Sequence, residues 1–96
     1  MNNCVFIGKL SHPPKLSSDD GVSFCTFELE VEDYRKDRNK NKQVMRDILY
    51  FEIWDSGAEA FVQNSRQNNL ISVEAVARTD ENGYTYFRVK SFKNLG

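Results

Sequence analysis

From Cys25 onward, the stretch VSFCTFELEVE at residues 22–32 alternates strictly between apolar and polar side chains. Cys25, Phe27, Leu29 and Val31 share one parity, and Thr26, Glu28, Glu30 and Glu32 share the other. A helix would scatter these residues around its circumference, whereas a strand sends alternate side chains to opposite faces. The stretch is therefore a strand with one face in a core and one face in water. A half-buried strand needs partner strands, so the chain has to build a sheet.

The partners are visible on both sides. Residues 4–10, CVFIGKL, are β-branched or aromatic with Gly8 inside, and a glycine within a strand marks a bulge or bend. The prolines of SHPPK then force a loop. Residues 44–54, VMRDILYFEIW, form a third strand with Leu49, Phe51 and Ile53 facing inward. Arg46, Ile48, Tyr50, Glu52 and Trp54 then face out, and an outward tyrosine and tryptophan suggest a binding surface. Ser56 and Glu59 have the spacing of a capping box, which predicts a short helix over about 57–66, ended near Asn68 or Asn69. Residues 70–78 and 84–92 supply two more strands, joined by a two-residue turn at Asn82-Gly83.

The order is three strands, a helix and two strands. Ninety-six residues make one domain, 1–96, with a single core. An SH3-like barrel or a small sandwich would also use many short strands. A helix after the third strand favours the all-β, five-stranded Greek-key OB-fold barrel, with its one short helix between strands 3 and 4.

Charge is distributed unevenly. Residues 34–46, YRKDRNKNKQVMR, hold six of the thirteen Lys and Arg residues and one acid, Asp37. The rest of the chain has seven bases and thirteen acids. This basic segment, led by Tyr34, reads in two ways. It is a solvated hairpin loop, or it is a cationic arm with a π-face for a nucleic-acid strand.

Several segments resemble the bacterial single-stranded-DNA-binding protein family. They are "NNCVFIGKLSHPPKL", "VSFCTFEL", "FEIWDSGAEAF" and "VEAVART", in the family's order and spacing over nearly the whole chain. A primosomal replication protein of the same fold, which lacks the family's tail, is also similar. The resemblance implies a homo-dimer or homo-tetramer, paired through the first strand, that binds single-stranded DNA (or RNA) largely independently of sequence. By position it implies that Tyr34 and Trp54 stack on bases, with one residue inserted just before Tyr34. It likewise implies basic contacts from Lys9 and Arg78. The residues themselves add Arg35, Lys36, Arg46 and Tyr50 to this candidate set.

There are departures from the family's pattern. Glu28 and Glu30 place acid on the outer face of the second strand. The turn between the last two strands is short and lacks a stacking aromatic, Ala75 replaces a glycine, and no acidic tail is expected after Gly96. These departures favour a rival reading: an OB-fold protein-interaction subunit of a replication or primosome assembly, with little or no DNA affinity. No enzyme is expected, since no catalytic set, phosphate-binding glycine loop, cofactor site or metal cluster can be assembled. No apolar run is long enough for a membrane helix. The N-terminus has no signal-peptide pattern, so Cys4 and Cys25 are expected to be reduced thiols in a bacterial cytoplasm or an organellar interior.

Overall fold

The computed structural model describes residues 1–96. The alternating stretch becomes the first half of a long strand. β1 (Cys4–Leu10) leads through the proline loop to a short β2 (Ser17–Asp19) and then to β3 (Val22–Lys36). β4 (Lys42–Trp54) returns antiparallel to β3, in register from Phe24↔Trp54 to Lys36↔Lys42 without a break. α1 (Asp55–Asn64), β5 (Leu70–Thr79) and β6 (Thr85–Asn94) complete the chain.

Five of these strands close a ring in the order β1-β5-β6-β4-β3, and β3 meets β1 again. This is the expected OB-fold barrel. All its pairings are antiparallel except β4–β6, which touch in parallel at Phe51↔Phe87 and Glu52↔Arg88. A parallel pair needs a long crossover, and α1 with β5 provides it. The ring closes at β1–β3 through only two pairs, Lys9↔Glu30 and Leu10↔Leu29.

The core is aromatic. Phe27 stacks on Phe51 and on Phe61, with ring centroids 5.3 and 4.2 Å apart. Phe6 meets Phe51 and Phe87 edge-on, and Phe92 meets Phe61 the same way. α1 contributes its buried Ala58 and Phe61 to this cluster. Each buried phenylalanine is worth about 1.5–3 kcal/mol in transfer, and its ring contacts add to that. Cys25 is a small core hydrophobe, and burial pushes its thiol pKa up from the ordinary value.

Gly8 is needed for the closure. A Cβ there would lie 2.8 Å from the Glu30 carbonyl oxygen, 3.0 Å from Leu29 Cβ and 3.1 Å from a Val31 methyl. The expected bulge is not at Gly8. The glycine instead lets the β1 backbone cross against β3, and the register shift falls on β5 between Glu74 and Ala75.

Four local expectations are corrected. First, β2 is a sixth strand, joined to β3 by Asp20 and Gly21 at φ 52° and 83°. Two consecutive positive φ values between paired strands are the mark of a type I′ turn, for which Asp-Gly is the usual dipeptide. Second, the capping box does not form. Asp55 turns out of β4 at φ 60°, so the helix has begun before Ser56, and no side chain caps it. Glu59 instead accepts a hydrogen bond from the Ser23 hydroxyl. The helix ends at Asn64, and Asn68, at φ 73°, sits in the turn before β5.

Third, the Asn82-Gly83 turn has three residues at its tip rather than two. Gly83 donates to the Asp80 carbonyl, Asp80 donates to that of Tyr84, and Gly83 takes φ 86°. Fourth, residues 34–46 are not a loop. β3 and β4 remain paired through them, and only Asp37–Asn41 turn. That turn repeats the other one: Lys40 donates to the Asp37 carbonyl, Asp37 donates to that of Asn41, and Lys40 occupies the left-handed position at φ 62°. The Asp37 and Asp80 side chains each accept two backbone N–H groups in the same places.

Beyond Glu30, β3 pairs with β4 alone, so a two-stranded ribbon of about 20 Å projects from the barrel. Two stability outcomes follow. Gly8→Ala should lower stability by about 1–3 kcal/mol through overpacking, read by urea unfolding. Lys40→Gly should raise it by about 0.5–1 kcal/mol by relieving the left-handed strain, and an unchanged midpoint would refute that strain.

Candidate nucleic-acid interface

Strand parity distributes the candidate residues. On β4, Lys42, Val44, Arg46, Ile48, Tyr50, Glu52 and Trp54 face out of the barrel. On β3, Phe24, Thr26, Glu28, Glu30, Glu32, Tyr34 and Lys36 lie opposite them, pair by pair. Tyr34 and Tyr50 are 58 % and 55 % exposed. Arg35 has the other parity and pairs with Gln43, so it projects from the opposite face of the ribbon. Tyr34 and Trp54 stand ten positions apart along this face, about 34 Å. The candidate set therefore falls into a barrel part and a ribbon part.

In the barrel part, a cleft of about 520 Å³ lies over the outer face of β3 and β4. Tyr50, Thr26, Glu28 and Glu52 form its floor. His12, Pro13 and Pro14, from the loop after β1, line it too, as do Asp80 and Tyr86 from the β5–β6 hairpin. Arg78 pairs with Tyr86 across β5 and β6. Trp54 stacks on Phe24 with centroids 4.9 Å apart, and its indole N–H donates to Glu52. That covers one ring face and leaves the side chain half-buried.

Ion pairs occupy most of the charge here. Arg88 donates from Nε and Nη2 to Glu52 Oε1 at 3.1 and 3.0 Å. His12 Nε2 lies 3.5 Å from Glu28 Oε2. Arg46 is bracketed by Glu32 at 3.0 Å and Glu30 at 3.4 Å. The hydrogen bond to Glu32, with the charges of Glu32 and Glu30, pushes the Arg46 pKa further up. Its cation already faces two anions before any ligand arrives.

The ribbon part is different. Lys42 Nζ sits 4.1 Å from the centroid of the Tyr34 ring. Lys36 pairs with Lys42, and Arg38 and Lys40 are at the tip. Of the acids beyond Glu30, Glu32 pairs with Arg46, Asp33 and Asp47 have the parity of the opposite face, and Asp37 is turned inward onto the backbone of its own turn. Lys9 lies away from Tyr50 and Trp54. It shares a second, smaller groove with Ile7, Glu30, Glu32 and Tyr34, where β1 meets the base of the ribbon.

Sequence reasoning missed Phe24, Lys42, His12 and Asp80 as members of these surfaces. Phe24 and Lys42 could have been found by counting the hairpin register outward from its turn. The other two could have been found from the OB-fold rule that the loops after the first strand and between the last two flank the face of strands two and three. There is no group of three or more His, Cys, Asp or Glu side chains able to hold a metal ion. No helix is long and apolar enough to cross a membrane.

Residues 1–85 match the model of the Single-strand binding protein family. No curated protein sequence matches the chain. Among solved structures, the wild-type single-stranded DNA binding protein from Thermus aquaticus superposes with a TM-score of 0.87 at 18 % identity, over 100 % of this chain and 50 % of that one. The chain thus spans about half the length of that relative. The small single-stranded DNA-binding protein from Streptomyces coelicolor gives 0.77 at 13 % identity, over 98 % and 94 % of the two chains. A Plasmodium falciparum SSB in complex with ssDNA gives 0.82 at 16 % identity, over 100 % and 96 %. At these identities the likeness is one of fold.

The bracketing of Arg46 has a measurable consequence for any polyanion. Replacing Glu30 and Glu32 together with glutamine should free the guanidinium. Binding should tighten, and the salt slope should steepen by roughly one phosphate contact. A slope identical to the parent's would mean that Arg46 does not reach the ligand.

Proposed function

This chain belongs to the single-strand binding protein family, and we propose that it binds single-stranded DNA, largely independently of sequence, in replication, repair or recombination. The observation that carries this reading is the outer face of β4. It presents Tyr50 and Trp54 beside the cleft, and it continues onto a cationic ribbon bearing Tyr34. Bases would stack on the aromatic rings while Lys36 and Lys42 neutralise phosphates along the same face of the ribbon, with Arg35 on its other face. Arg78 and Lys9 would extend this contact at the two flanks. RNA offers the same phosphates and rings and is the variant ligand. The role is one of binding rather than catalysis.

The active unit is proposed to be a dimer or tetramer of this chain. On β1, Val5 and Ile7 are 66 % and 51 % exposed, and Leu70 of neighbouring β5 is exposed beside Lys9. The Cys4–Gly8 edge has no strand partner on its β3 side. An apolar, open strand edge of this kind suits a second copy.

The row of Glu28, Glu30 and Glu32 favours a second reading, in which the barrel is an assembly subunit that binds protein. Titration with a mixed-sequence single-stranded oligonucleotide separates the two. On the DNA reading, emission of Trp54, the only tryptophan, changes on binding. For about 3–5 neutralised phosphates, log K falls against log salt with slope about −2 to −3.5. Tyr34→Ala should cost about 1–3 kcal/mol with little change in slope, whereas Lys36→Ala with Lys42→Ala should flatten it. Absence of binding at low salt would leave the protein-interaction reading.

A further inference from the structure

Along the outer row of β4 an acid stands between two rings: Tyr50, Glu52 and Trp54 follow at every second residue. An anion there opposes a polyanion, so its place in the row needs a reason. Its hydrogen bonds supply one. Oε1 of Glu52 accepts three, one from the Trp54 indole N–H and two from Nε and Nη2 of Arg88 at 3.1 and 3.0 Å. Arg88 arrives from β6 at the barrel's one parallel contact, where it is paired with Glu52. Phe24, which lies opposite Trp54 on β3, stacks on the indole with the two planes 27° apart.

These contacts restrict different freedoms of the indole. A stack sets the plane of a ring but lets it slide and turn within that plane. A directional hydrogen bond to Nε1 sets where the ring's edge points. The two donors of Arg88 hold the carboxylate that makes this bond. We propose that Glu52 is a positioning residue for single-strand binding: anchored by Arg88, it orients Trp54 on Phe24, so that the ring's second face is set for a base before the strand arrives. Ordering the ring in the free protein removes a cost that binding would otherwise carry. The pairing with Arg88 also offsets the charge of Glu52, which keeps its repulsion of phosphates small. This rests on the single-stranded DNA reading and deepens it, giving one acid of the binding face a task.

Two substitutions of similar size remove the same charge and differ in the acceptor. Glu52→Gln keeps an oxygen for the indole and for Arg88, whereas Glu52→Met offers only a weakly accepting thioether. A Glu52 that acted through its charge alone would give the two variants equal affinity and equal salt slope. The positioning role separates them. Binding is read by fluorescence anisotropy of an end-labelled mixed-sequence oligonucleotide over a range of salt. Extrapolated to about 1 M salt, where the phosphate term vanishes, Glu52→Gln should stay within about two-fold of the parent and Glu52→Met should be weaker by about five-fold. In a Trp54→Ala background the difference between the two should disappear, because the ring that transmits it is gone. Glu52→Ala serves in place of the methionine variant if that one melts early. Equal affinities for the glutamine and methionine variants would overturn the proposal and leave the DNA reading intact. So would a difference that persists without Trp54. Failure of the parent to bind at low salt would overturn the DNA reading and this inference with it.

Discussion

The crossing of β1 over β3 at Gly8 organises the molecule. The ring closes where two backbones approach more closely than a side chain would permit, for a would-be Cβ at Gly8 meets a carbonyl oxygen at 2.8 Å. Because the β1–β3 contact is confined to two residue pairs, β3 is free of the barrel immediately after Glu30. That release lets the β3–β4 hairpin run on as a ribbon. It also leaves most of one edge of β1 unpaired. The tight contact and the two exposed features are thus one geometric event. The aromatic core then fixes the ring's interior, with Phe27, Phe51 and Phe61 bridging β3, β4 and α1.

On this scaffold the outer face is divided by charge. Near the barrel, carboxylates hold the available cations, so Arg46 and Arg88 are neutralised in place. Near the ribbon tip, cations stand without acidic partners apart from Asp37, whose carboxylate is turned onto backbone N–H groups. Aromatic side chains occur in both regions, Tyr50, Trp54 and Tyr86 in the first and Tyr34 in the second. A polyanion with attached rings can satisfy both only if its bases and its phosphates follow different tracks.

What could be read from the chain follows from how local each signal is. Alternation in β3 and the inward run Leu49, Phe51 and Ile53 on β4 have a period of two, so faces and partners followed directly. The order of elements then gave the barrel. The ribbon was hidden because residues 35–43 are polar on both faces; register, not pattern, keeps them in strands. Extending that parity to Lys36 would have placed Arg35 opposite Tyr34. β2 was announced by Asp20-Gly21, but three polar residues carry no apolar alternation to notice. The capping box failed because spacing cannot reveal a positive φ at Asp55. Gly8 was noticed as a strand glycine, yet its reason lies more than twenty residues away on β3. The pairing of Arg46 with Glu30 and Glu32 likewise depends on which residues a hairpin brings abreast.

The ribbon has one more consequence, and it concerns rates. Residues 34–46 carry six cations and one acid, whereas the remainder carries seven and thirteen. The molecule is 55 Å along its longest axis, so this separation of charge makes a large electric dipole with its positive pole on a projecting arm. A net charge of −1 would by itself give a polyanion no reason to approach. The dipole turns the arm toward a negative target and the acidic body away from it. Encounter would then be oriented before contact and accelerated most at low ionic strength, where the Debye length reaches about 30 Å at 0.01 M and spans the molecule's shorter axes. At physiological ionic strength that length falls to about 8 Å, and only the tip of the arm would feel its target in advance.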